Sequence, residues 1–496
     1  MNPDADLRWR AFASRDRRFD GRFFAAVRTT GIYCRPGCPA RLPARRNVAF
    51  YPTAAAAESA GFRPCRRCRP DSTPGSPAWI GAPALVARAL RLIEAGSLGA
   101  KDEGEPRGVE ALAERLGITG RRLRQLFEEH LGASPLQVAH THRAHLARRL
   151  LEQTRLPLEE IARAAGYASA RRMHAAVTST FRRAPRDLRG SRDAAPAGLR
   201  LELPARLPFH PSPLLSFLAA RAIDGVEVVS EDSYLRTYAL DGERGVLRAR
   251  ATAGRGVELT LVASSPRALV PAAARVQRLF DLDADAPAIA AHLRRDPWLR
   301  PFVPASGIRV PGAWDAFEVA VRALLGQQVS VAAARTLAGR LAERFGEALP
   351  PALAADGLTR LFPTPERLAT ADLGGLGLTG ARAEAIRGLA SAVAGGRIDF
   401  AAMRSLDESI AALRALPGFG AWTAHYVALR GLGEPDAFPA GDLGLRRALA
   451  RGRELPSERA VRESAEPWRP WRAYAAFALW SHPADGREAS DERRRR

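Results

Sequence analysis

The chain has 496 residues, of which 46% are hydrophobic and 26% are charged, a composition typical of a globular protein with more than one hydrophobic core. Lys and Arg outnumber Asp and Glu by 75 to 53, which gives a formal net charge of +22 and indicates a polyanionic partner. The N-terminus lacks the apolar run of a signal peptide, and no segment reaches the roughly 18 consecutive apolar residues of a membrane helix. We therefore expect a cytoplasmic protein with no membrane partner and no structural disulfides.

The positive charge is concentrated in two regions. Residues 1–70 contain fifteen arginines and five acidic residues, and residues 108–190 contain fifteen arginines and eight acidic residues. A high-GC codon bias explains the use of Arg in place of Lys, since Lys101 is the single lysine of the sequence, but it does not explain the excess of bases over acids. The simplest polyanion for such a surface is nucleic acid.

The four cysteines of the chain form two short pairs. Cys34 and Cys38 enclose three residues, Cys65 and Cys68 enclose two, and 26 residues separate the pairs. This spacing predicts one zinc ion held by four thiolates, any of which remains a potential nucleophile because zinc keeps thiols deprotonated. The motif is surrounded by arginines, which favours attack on a group held by its phosphates. These arginines are Arg35, Arg41, Arg45, Arg46, Arg66, Arg67 and Arg69.

Nearly all of residues 1–71, including "GIYCRPGC" and "FRPCRRC", resemble the zinc domain of Ada-type adaptive-response regulators. The resemblance implies that Cys34 irreversibly accepts a methyl group from a methylphosphotriester in DNA, while Cys38, Cys65 and Cys68 complete the ligand set. Methylation would remove one negative charge that faces the DNA and should strengthen phosphate binding. We assign this zinc methyl-acceptor domain to residues 1–75.

Two helix-turn-helix units are predicted after a segment rich in Pro, Gly and Ser at Asp71–Pro83, with a second break at Gly96–Gly108. In the first unit, an apolar stripe from Val109 to Leu116 ends at Gly117 and a second stripe follows. The pattern recurs from Ile161 to Phe181, and the helix "PLQVAHTHRAHLARRLLEQ" joins the two units. This arrangement resembles the AraC-type DNA-binding domain, which we assign to residues 84–190.

That resemblance implies a transcription activator that binds promoter DNA and contacts RNA polymerase. The candidate base-reading residues lie on the second helix of each unit; the alternative is a solvated basic face. They are Arg121, Arg122, Arg124, Arg171, Arg172 and His174. On the connecting helix, His140, His142 and His145 lack a neighbouring carboxylate in sequence, and we expect them to be surface side chains rather than metal ligands.

Residues 198–305 are predicted to form a small α+β domain after a linker at Gly190–Gly198. Alternating apolar and polar residues with "DGERG" and "AGRG" turns predict a meander of about three strands. The helices "SPLLSFLAARAI" and "PRALVPAAARVQRLF" would cover one face of this sheet. No residue of this domain stands out as a candidate for chemistry.

The remainder, residues 306–485, is predicted to be helical, and its most informative segment is "ALPGFGAWTAHYVALRG". Gly418 and Gly420 permit positive φ, so Leu416–Gly420 can form a hairpin between two helices. The amides at the start of the second helix would then bind a DNA phosphate without reading sequence. An ordinary helix-terminating turn is the alternative interpretation.

Three aromatic residues and one acid extend this candidate site. Trp422 and Tyr426 lie four residues apart on the helix that follows the hairpin, and Trp480 lies on a later helix. Core packing is one interpretation; the other is a nest of electron-rich rings that binds a cationic, alkylated purine. Asp442 is placed to cap the helix that begins at Leu443 and, from there, to face the sugar of a flipped nucleotide.

From Gly198 to about Pro483 the chain resembles 3-methyladenine DNA glycosylases of the AlkA type, in the helix-hairpin-helix superfamily. The resemblance rests on segments such as "RALLGQQVSVAAARTLAGRLAERFG" and "LPGFGAWTAHYVALRGLGEPDAFPAGDLGLRRAL". It implies that Asp442 is catalytic, that Trp422, Tyr426 and Trp480 line the base pocket, and that the hairpin carbonyls hold a monovalent cation. Gln328 stands where some relatives insert an apolar residue into the DNA stack.

Two absences refine the predicted activity. Glycosylases that also cut the DNA backbone use a lysine amine to form a Schiff base. Relatives with that activity have this lysine where the present chain has Trp422, so we expect no lyase activity. No cysteine follows Cys68, so the cysteine-dependent repair of O6-methylguanine that many Ada-type regulators carry is not expected. The alternatives are a transcription regulator whose C-terminal half only binds DNA, and an N-terminal half that only tethers the enzyme to DNA.

The sequence therefore predicts a multidomain α+β protein, mostly α-helical, from a bacterial cytoplasm and associated with the nucleoid. Its four parts would be a small zinc-binding domain, a double helix-turn-helix of the AraC type, a small antiparallel-sheet α+β domain and an all-α helix-hairpin-helix glycosylase domain. Double-stranded DNA, as damaged bases, methylphosphotriesters and promoter sites, would be the shared partner.

Overall fold

The structure is a computed structural model that describes residues 3–70, 84–94, 96, 98, 108–189, 199–240, 242–262, 268–354, 356–401, 403, 405–450 and 454–482. Lys101 and most of the three predicted linkers lie outside the described residues. Among the helices in the described ranges, none is both long and apolar enough to cross a membrane.

The N-terminal zinc domain is built on a four-stranded sheet with two helices. The helices are α1 (Pro3–Ala13) and α2 (Ala54–Ser59), and the strands are β1 (Phe24–Val27), β2 (Ile32–Cys34), β3 (Val48–Tyr51) and β4 (Arg63–Pro64). The strand order is β3-β1-β2-β4, and the parallel pairing of β2 with β4 places Tyr33 opposite Pro64. Since these residues directly precede Cys34 and Cys65, this register brings the two cysteine pairs together.

The next domain contains both predicted helix-turn-helix units. Its helices are α3 (Ala84–Glu94), α4 (Val109–Arg115), α5 (Gly120–Leu131), α6 (Pro135–Gln153), α7 (Leu158–Ala164), α8 (Ala170–Phe181) and α9 (Pro185–Leu188). The turn between the helices of each unit has a glycine in the left-handed region, with φ of 69° at Gly117 and 77° at Gly166. Side chains of Thr119 and Ser169 cap α5 and α8, so each second helix begins at a fixed point.

The α+β domain has a five-stranded antiparallel sheet rather than the predicted meander of about three strands. Its strands are β5 (Leu199–Pro204), β6 (Glu227–Val229), β7 (Ser233–Leu240), β8 (Glu243–Thr252) and β9 (Gly256–Val262), in the order β5-β9-β8-β7-β6. The predicted meander is β7, β8 and β9. The two additional edge strands are short, and β5 pairs with β9 across more than fifty residues of sequence, which local alternation does not reveal.

Helices complete the C-terminal half of the chain. The α+β domain contributes α10 (Ser212–Ala219), α11 (Leu269–Leu279) and α12 (Ala286–Leu293). The last domain contains α13 (Ala316–Leu325), α14 (Val331–Phe345), α15 (Pro365–Ala369), α16 (Gly380–Ala394), α17 (Leu406–Arg414), α18 (Ala421–Arg430), α19 (Leu443–Ala450), α20 (Glu458–Ser464) and α21 (Arg472–Trp480). The predicted all-α character of this domain is confirmed over the described residues.

The regulatory and C-terminal halves pack against each other through a shared core. One hydrophobic cluster includes Leu150 of α6, Leu201 of β5 and Phe477 of α21. Polar contacts extend this interface: Arg22 of the zinc domain donates to Asp285 at the start of α12 over 2.7 Å, and Arg88 of α3 pairs with the buried Glu434 at 3.2 Å. The four parts of the chain therefore form one packed body.

Candidate metal centre and active-site pocket

The four cysteines converge on one point in the zinc domain. Their sulfur atoms all lie within 4.8 Å of one another, and every one of these side chains is buried. A closed set of four sulfur donors fits zinc, which favours tetrahedral thiolate coordination.

Asp20 holds the loop between the first two cysteines. The amide of Gly37 donates to Asp20 Oδ1 over 2.7 Å, and the guanidinium of Arg35 lies 3.4 Å from Asp20 Oδ2. A Cβ on Gly37 would lie 2.7 Å from Arg17 Cγ, so the loop passes too close to its neighbours for a side chain. Asp20 thereby fixes Arg35, which directly follows Cys34 in the chain.

The helix-turn-helix arginines lie on exposed surfaces. Arg121, Arg122, Arg171, Arg172 and His174 are exposed on α5 and α8. Arg124 is exposed too, but its guanidinium pairs with Glu110 at 2.5 Å. The structure thus places all six candidates on exposed positions of the second helix of their units.

His145 is not the surface side chain that the sequence predicted. Its side chain is 12% exposed, and Nε2 lies 2.8 Å from Glu58 Oε1 of the zinc domain. His142 is half-buried, and burial lowers its pKa to about 3. Only His140 is exposed. The prediction failed because the carboxylate that meets His145 is 87 residues away in sequence.

The predicted hairpin lies between α17 and α18. Gly418 has a φ of 79°, and a Cβ there would lie 2.5 Å from the Cβ of Ala385, so both the turn and the packing require glycine. Gly420, in contrast, has a φ of −80°, so the prediction that it uses positive φ is wrong. A Cβ on Gly420 would meet no protein atom within 4 Å, and the exposed space above it is open to a ligand.

Asp442 is held by three donors. Its Oδ1 accepts hydrogen bonds from Trp480 Nε1 at 2.9 Å and from the Leu445 amide at 3.0 Å, while Oδ2 accepts from Trp422 Nε1 at 2.9 Å. The hydrogen bond from the Leu445 amide is the predicted N-terminal cap of α19. The two indole bonds fix the carboxylate against the aromatic side chains, which sequence spacing alone did not indicate.

The three predicted aromatic residues meet at this carboxylate. The rings of Trp422 and Tyr426 are stacked with centroids 5.4 Å apart at an interplanar angle of 16°, and Tyr426 lies 6.2 Å from Trp480 in a tilted arrangement. They line a cavity of about 810 Å³ together with Asp442. This volume accommodates a flipped nucleotide.

The far wall of the cavity contains charged residues that the sequence analysis missed. Glu318 and Arg322 line it from α13, Glu227 lines it from β6, and Arg221 lines it from the turn after α10, beside the aromatic Phe217 of α10. The α+β domain, in which no residue stood out in the sequence, thus forms one wall of the pocket. A signal was present in "AFEVAVRALL", where Glu318 and Arg322 interrupt an otherwise apolar helix.

Arginines set the electrostatics around Tyr426. Its hydroxyl accepts from Arg430 Nη1 at 3.1 Å. Burial alone would raise the pKa of Tyr426, but the guanidiniums of Arg430, Arg221 and Arg322 outweigh it and lower this pKa. Since Arg430 can only donate, the hydroxyl proton of Tyr426 does not point at this guanidinium.

Gln328 lies at the exposed turn between α13 and α14. Its φ of 58° places its backbone in the left-handed region, which residues other than glycine rarely adopt. The preceding Gln327 anchors this turn to the hairpin, because its Nε2 donates to Gly418 O at 2.8 Å and to Thr423 Oγ1 at 3.0 Å. Val329 follows Gln328 and lines the pocket mouth.

Four family models match consecutive parts of the chain. They are the metal binding domain of Ada at residues 7–71, a helix-turn-helix domain at 112–191, the AlkA N-terminal domain at 200–315 and the HhH-GPD superfamily of base excision DNA repair proteins at 321–470. A probable bifunctional transcriptional activator/DNA repair enzyme AlkA of Mycobacterium tuberculosis is 44% identical over 98% of both chains. The chain belongs to this family of bifunctional activator and repair proteins.

Two further relatives each cover one part of the chain. DNA-3-methyladenine glycosylase 2 of Escherichia coli is 37% identical over 53% of this chain and 91% of its own length. The bifunctional transcriptional activator/DNA repair enzyme Ada of the same organism is 39% identical over 26% of this chain and 34% of its own length. The predicted resemblances to Ada-type regulators and AlkA-type glycosylases are thus confirmed, as is the predicted zinc-binding character of the N-terminal domain.

Proposed function

We propose that the protein responds to alkylated DNA with three activities on one chain. Cys34 accepts a methyl group from a methylphosphotriester, the helix-turn-helix domain activates transcription, and Asp442 directs hydrolytic excision of alkylated bases such as 3-methyladenine. The observation that supports excision most strongly is the Asp442 carboxylate, which two indole N–H groups fix beside a nucleotide-sized cavity. Membership of the family supports the combination of repair with activation.

Cys34, Cys38, Cys65 and Cys68 would hold zinc, which supplies charge that keeps the thiols deprotonated. The Cys34 sulfur attacks the methyl carbon of the phosphotriester. A sulfur–carbon bond forms, the carbon–oxygen bond breaks, and the phosphate leaves as an anionic diester with the bonding electrons. Arg35, held by Asp20, is placed to bind that phosphate.

For excision, the two oxygens of Asp442 have different roles. Oδ1 accepts two hydrogen bonds and Oδ2 accepts one, so Oδ2 retains a lone pair for the reaction. This lone pair would stabilise the oxocarbenium-like sugar that forms as the glycosidic bond breaks, and would orient the attacking water. A cationic leaving base needs little acid catalysis.

Selection of the damaged base would come from the rings. The stacked Trp422 and Tyr426 and the tilted Trp480 present electron-rich faces to a planar, electron-poor purine. The product would be an intact strand with an abasic site, because the site has no lysine amine to form a Schiff base: Trp422 stands at the position that bifunctional relatives give to lysine.

The hairpin and the adjacent turn would bind the DNA backbone. The open space above Gly420 lets a phosphate approach the first amides of α18, a helix of ten residues. We further propose a monovalent cation on the hairpin carbonyls and Gln328 as a polar wedge in the base stack. Exposure of Gln328 beside the pocket mouth supports the wedge.

The exposed arginines of α5 and α8 would read the promoter, and RNA polymerase would be the protein partner during activation. A location at the bacterial nucleoid in the cytoplasm follows from these DNA substrates. We also propose the domain limits derived from the sequence, which are residues 1–75, 84–190, 198–305 and 306–485.

A paired assay tests both chemical activities. One duplex contains 3-methyladenine and a second contains a methylphosphotriester; released base and added protein mass are measured. We expect base release without strand cleavage, and one methyl group on the peptide that contains Cys34. Absence of base release with normal DNA binding would favour the alternative of a regulator whose C-terminal half only binds DNA. Absence of methyl transfer would favour an N-terminal half that only tethers the enzyme.

A further inference from the structure

Helix α3 of the regulatory half carries two arginines that contact the C-terminal half of the chain. Val86 and Ile93 of this helix are buried in the core of the helix-turn-helix domain. Arg88 and Arg91 lie three residues apart on another face of the helix, and both guanidiniums pair with Glu434 Oε1, at 3.2 Å and 3.6 Å. One helix therefore joins the regulatory half to a single carboxylate of the C-terminal half.

Glu434 is a buried acid whose ion pairs come from outside its own domain. Its side chain is 7% exposed, and that of Arg88 is 9% exposed. Within the described part of the chain, both cations that pair with Glu434 belong to α3. Removing one partner of a buried ion pair is strongly destabilising, because the other charge stays out of water without compensation. The local structure around Glu434 therefore depends on the docking of α3.

Glu434 lies in the segment that joins α18 to α19, and Asp442 is at the far end of this segment. The Glu434 amide donates to the Ala428 carbonyl at 3.0 Å, so the segment begins tied to the last turns of α18. Further along, the Phe438 amide donates to His425 Nδ1 at 3.3 Å. A shift of Glu434 would therefore displace the chain that leads from the pocket helix α18 to the carboxylate.

The position of this segment matters because Asp442 meets two side chains from different helices. Trp422 of α18 and Trp480 of α21 each donate to one of its oxygens at 2.9 Å. The segment is also attached to α21, since Arg472 Nε donates to Asp436 Oδ1 at 2.8 Å. A displacement of about 1 Å in a reacting group can lower a rate by about a hundredfold. Loss of the attachment to α3 would therefore lower activity even in a folded pocket.

We propose that Arg88 is a positioning residue for base excision. Supplied by the regulatory half, it holds the segment between α18 and α19 so that the Asp442 carboxylate meets both indole N–H groups. Arg91, whose side chain is 26% exposed, supports the same contact with Glu434 from a longer distance. This proposal rests on the proposed function, since it requires Asp442 to direct excision. It makes the regulatory half a working part of the enzyme.

Single-turnover kinetics of the full-length, zinc-loaded protein test this role. Arg88→Met keeps an aliphatic side chain but removes the charge, whereas Arg88→Lys keeps the charge. We expect release of 3-methyladenine to slow about tenfold in Arg88→Met, the effect of losing a hydrogen bond to a charged group, and to recover largely in Arg88→Lys. Affinity for duplex DNA with an abasic-site analogue should match the wild type in both, because Arg88 is buried. Arg244→Met, which breaks an exposed pair with Glu347 between two domains, is the matched control and should keep the wild-type rate.

A double-mutant cycle with Asp442→Asn separates positioning from general stabilisation. If Arg88 acts through the carboxylate, Arg88→Met should slow base release little further once that charge is absent. An equal slowing in both backgrounds would show that Arg88 acts elsewhere, and it would overturn the proposal.

The remaining outcomes also decide. An unchanged rate in Arg88→Met overturns the proposal and leaves the proposed function intact. A joint loss of rate and DNA affinity that Arg88→Lys does not restore has the same meaning, because the ion pair would then only hold the two halves together. A wild-type protein that releases no 3-methyladenine overturns the proposed excision and this proposal together.

Discussion

The two chemical sites of this molecule are assembled in opposite ways. The zinc site takes all four ligands from two short segments of one small domain, and the pairing of β2 with β4 is sufficient to bring them together. The base pocket takes side chains from α10, α13, α18, α19 and α21, which belong to two domains. A site of the first kind depends on its own ligands, whereas a site of the second kind depends on the packing between domains.

Replacing the acceptor cysteine should have the largest effect and should separate the two sites. We expect Cys34→Ala to abolish methyl transfer, because the sulfur that forms the new bond is gone, while base excision stays within about twofold of the wild type. Peptide mass spectrometry and release of 3-methyladenine measure the two activities. A methyl group on Cys38, Cys65 or Cys68 would contradict the assignment of Cys34. Loss of excision would show that the sites are not separate.

Replacing the pocket carboxylate comes next. Asp442→Asn removes the charge that stabilises the cationic sugar, and such electrostatic groups typically contribute about a hundredfold or more in rate. The asparagine side chain has an NH2 group in place of one carboxylate oxygen, and this group cannot accept a hydrogen bond. One of the two indole hydrogen bonds, from Trp422 or from Trp480, is therefore lost as well. Single-turnover release of 3-methyladenine measures the rate, and DNA affinity should hold or rise because a negative charge near phosphates is removed. Asp356→Asn, an exposed residue paired with Arg248, is the matched control.

The indole donors provide a finer comparison within the pocket. Trp422→Phe keeps a ring that stacks on Tyr426 but removes the one hydrogen bond to Asp442 Oδ2. We expect kcat to fall about tenfold, the effect of losing a hydrogen bond to a charged group. Trp480→Phe should lower kcat less, since Oδ1 retains the Leu445 amide. Equal loss in both variants would indicate that the rings, rather than their N–H groups, support catalysis.

Sequence reasoning performed differently at these two sites for a physical reason. Cysteine spacing constrains metal geometry directly, so the cluster of Cys34, Cys38, Cys65 and Cys68 was predictable from local sequence. The helix-turn-helix boundaries were equally accessible, because apolar periodicity and the glycines at 117 and 166 are local signals. Which cysteine reacts was indicated only by resemblance.

The missed features all depend on contacts between residues that are distant in sequence. Arg221 and Glu227 reach the pocket only because the α+β domain packs on the helical domain, and β5 joins its sheet through β9. His145 was expected at the surface because Glu58 is 87 residues away. Glu318 and Arg322, in contrast, interrupt an otherwise apolar helix, so the local sequence does mark them as candidate pocket residues.

The smallest expected effect tests whether packing between the halves links the two sites. Arg22 of the zinc domain donates to Asp285, whose side chain is 2% exposed and also caps α12 through the amide of Ala288. Because Asp285 keeps that amide and Arg206 at 3.2 Å, Arg22→Gln leaves no unpaired buried charge. We therefore expect a local destabilisation of about 1 kcal/mol, nearer the value for a partly exposed ion pair than for a buried one.

Hydrogen exchange of the amides in α12 measures this change where it occurs, which avoids treating a multidomain protein as a two-state system. Arg18→Gln breaks a pair with Asp16 in which the arginine is 76% exposed, and it should leave α12 unchanged. Faster exchange in α12 for Arg22→Gln alone would show that the zinc domain stabilises this helix of the C-terminal half. Equal exchange in both variants would mean that the shared hydrophobic core, with Leu150 and Leu201, holds the halves together without the ion pair.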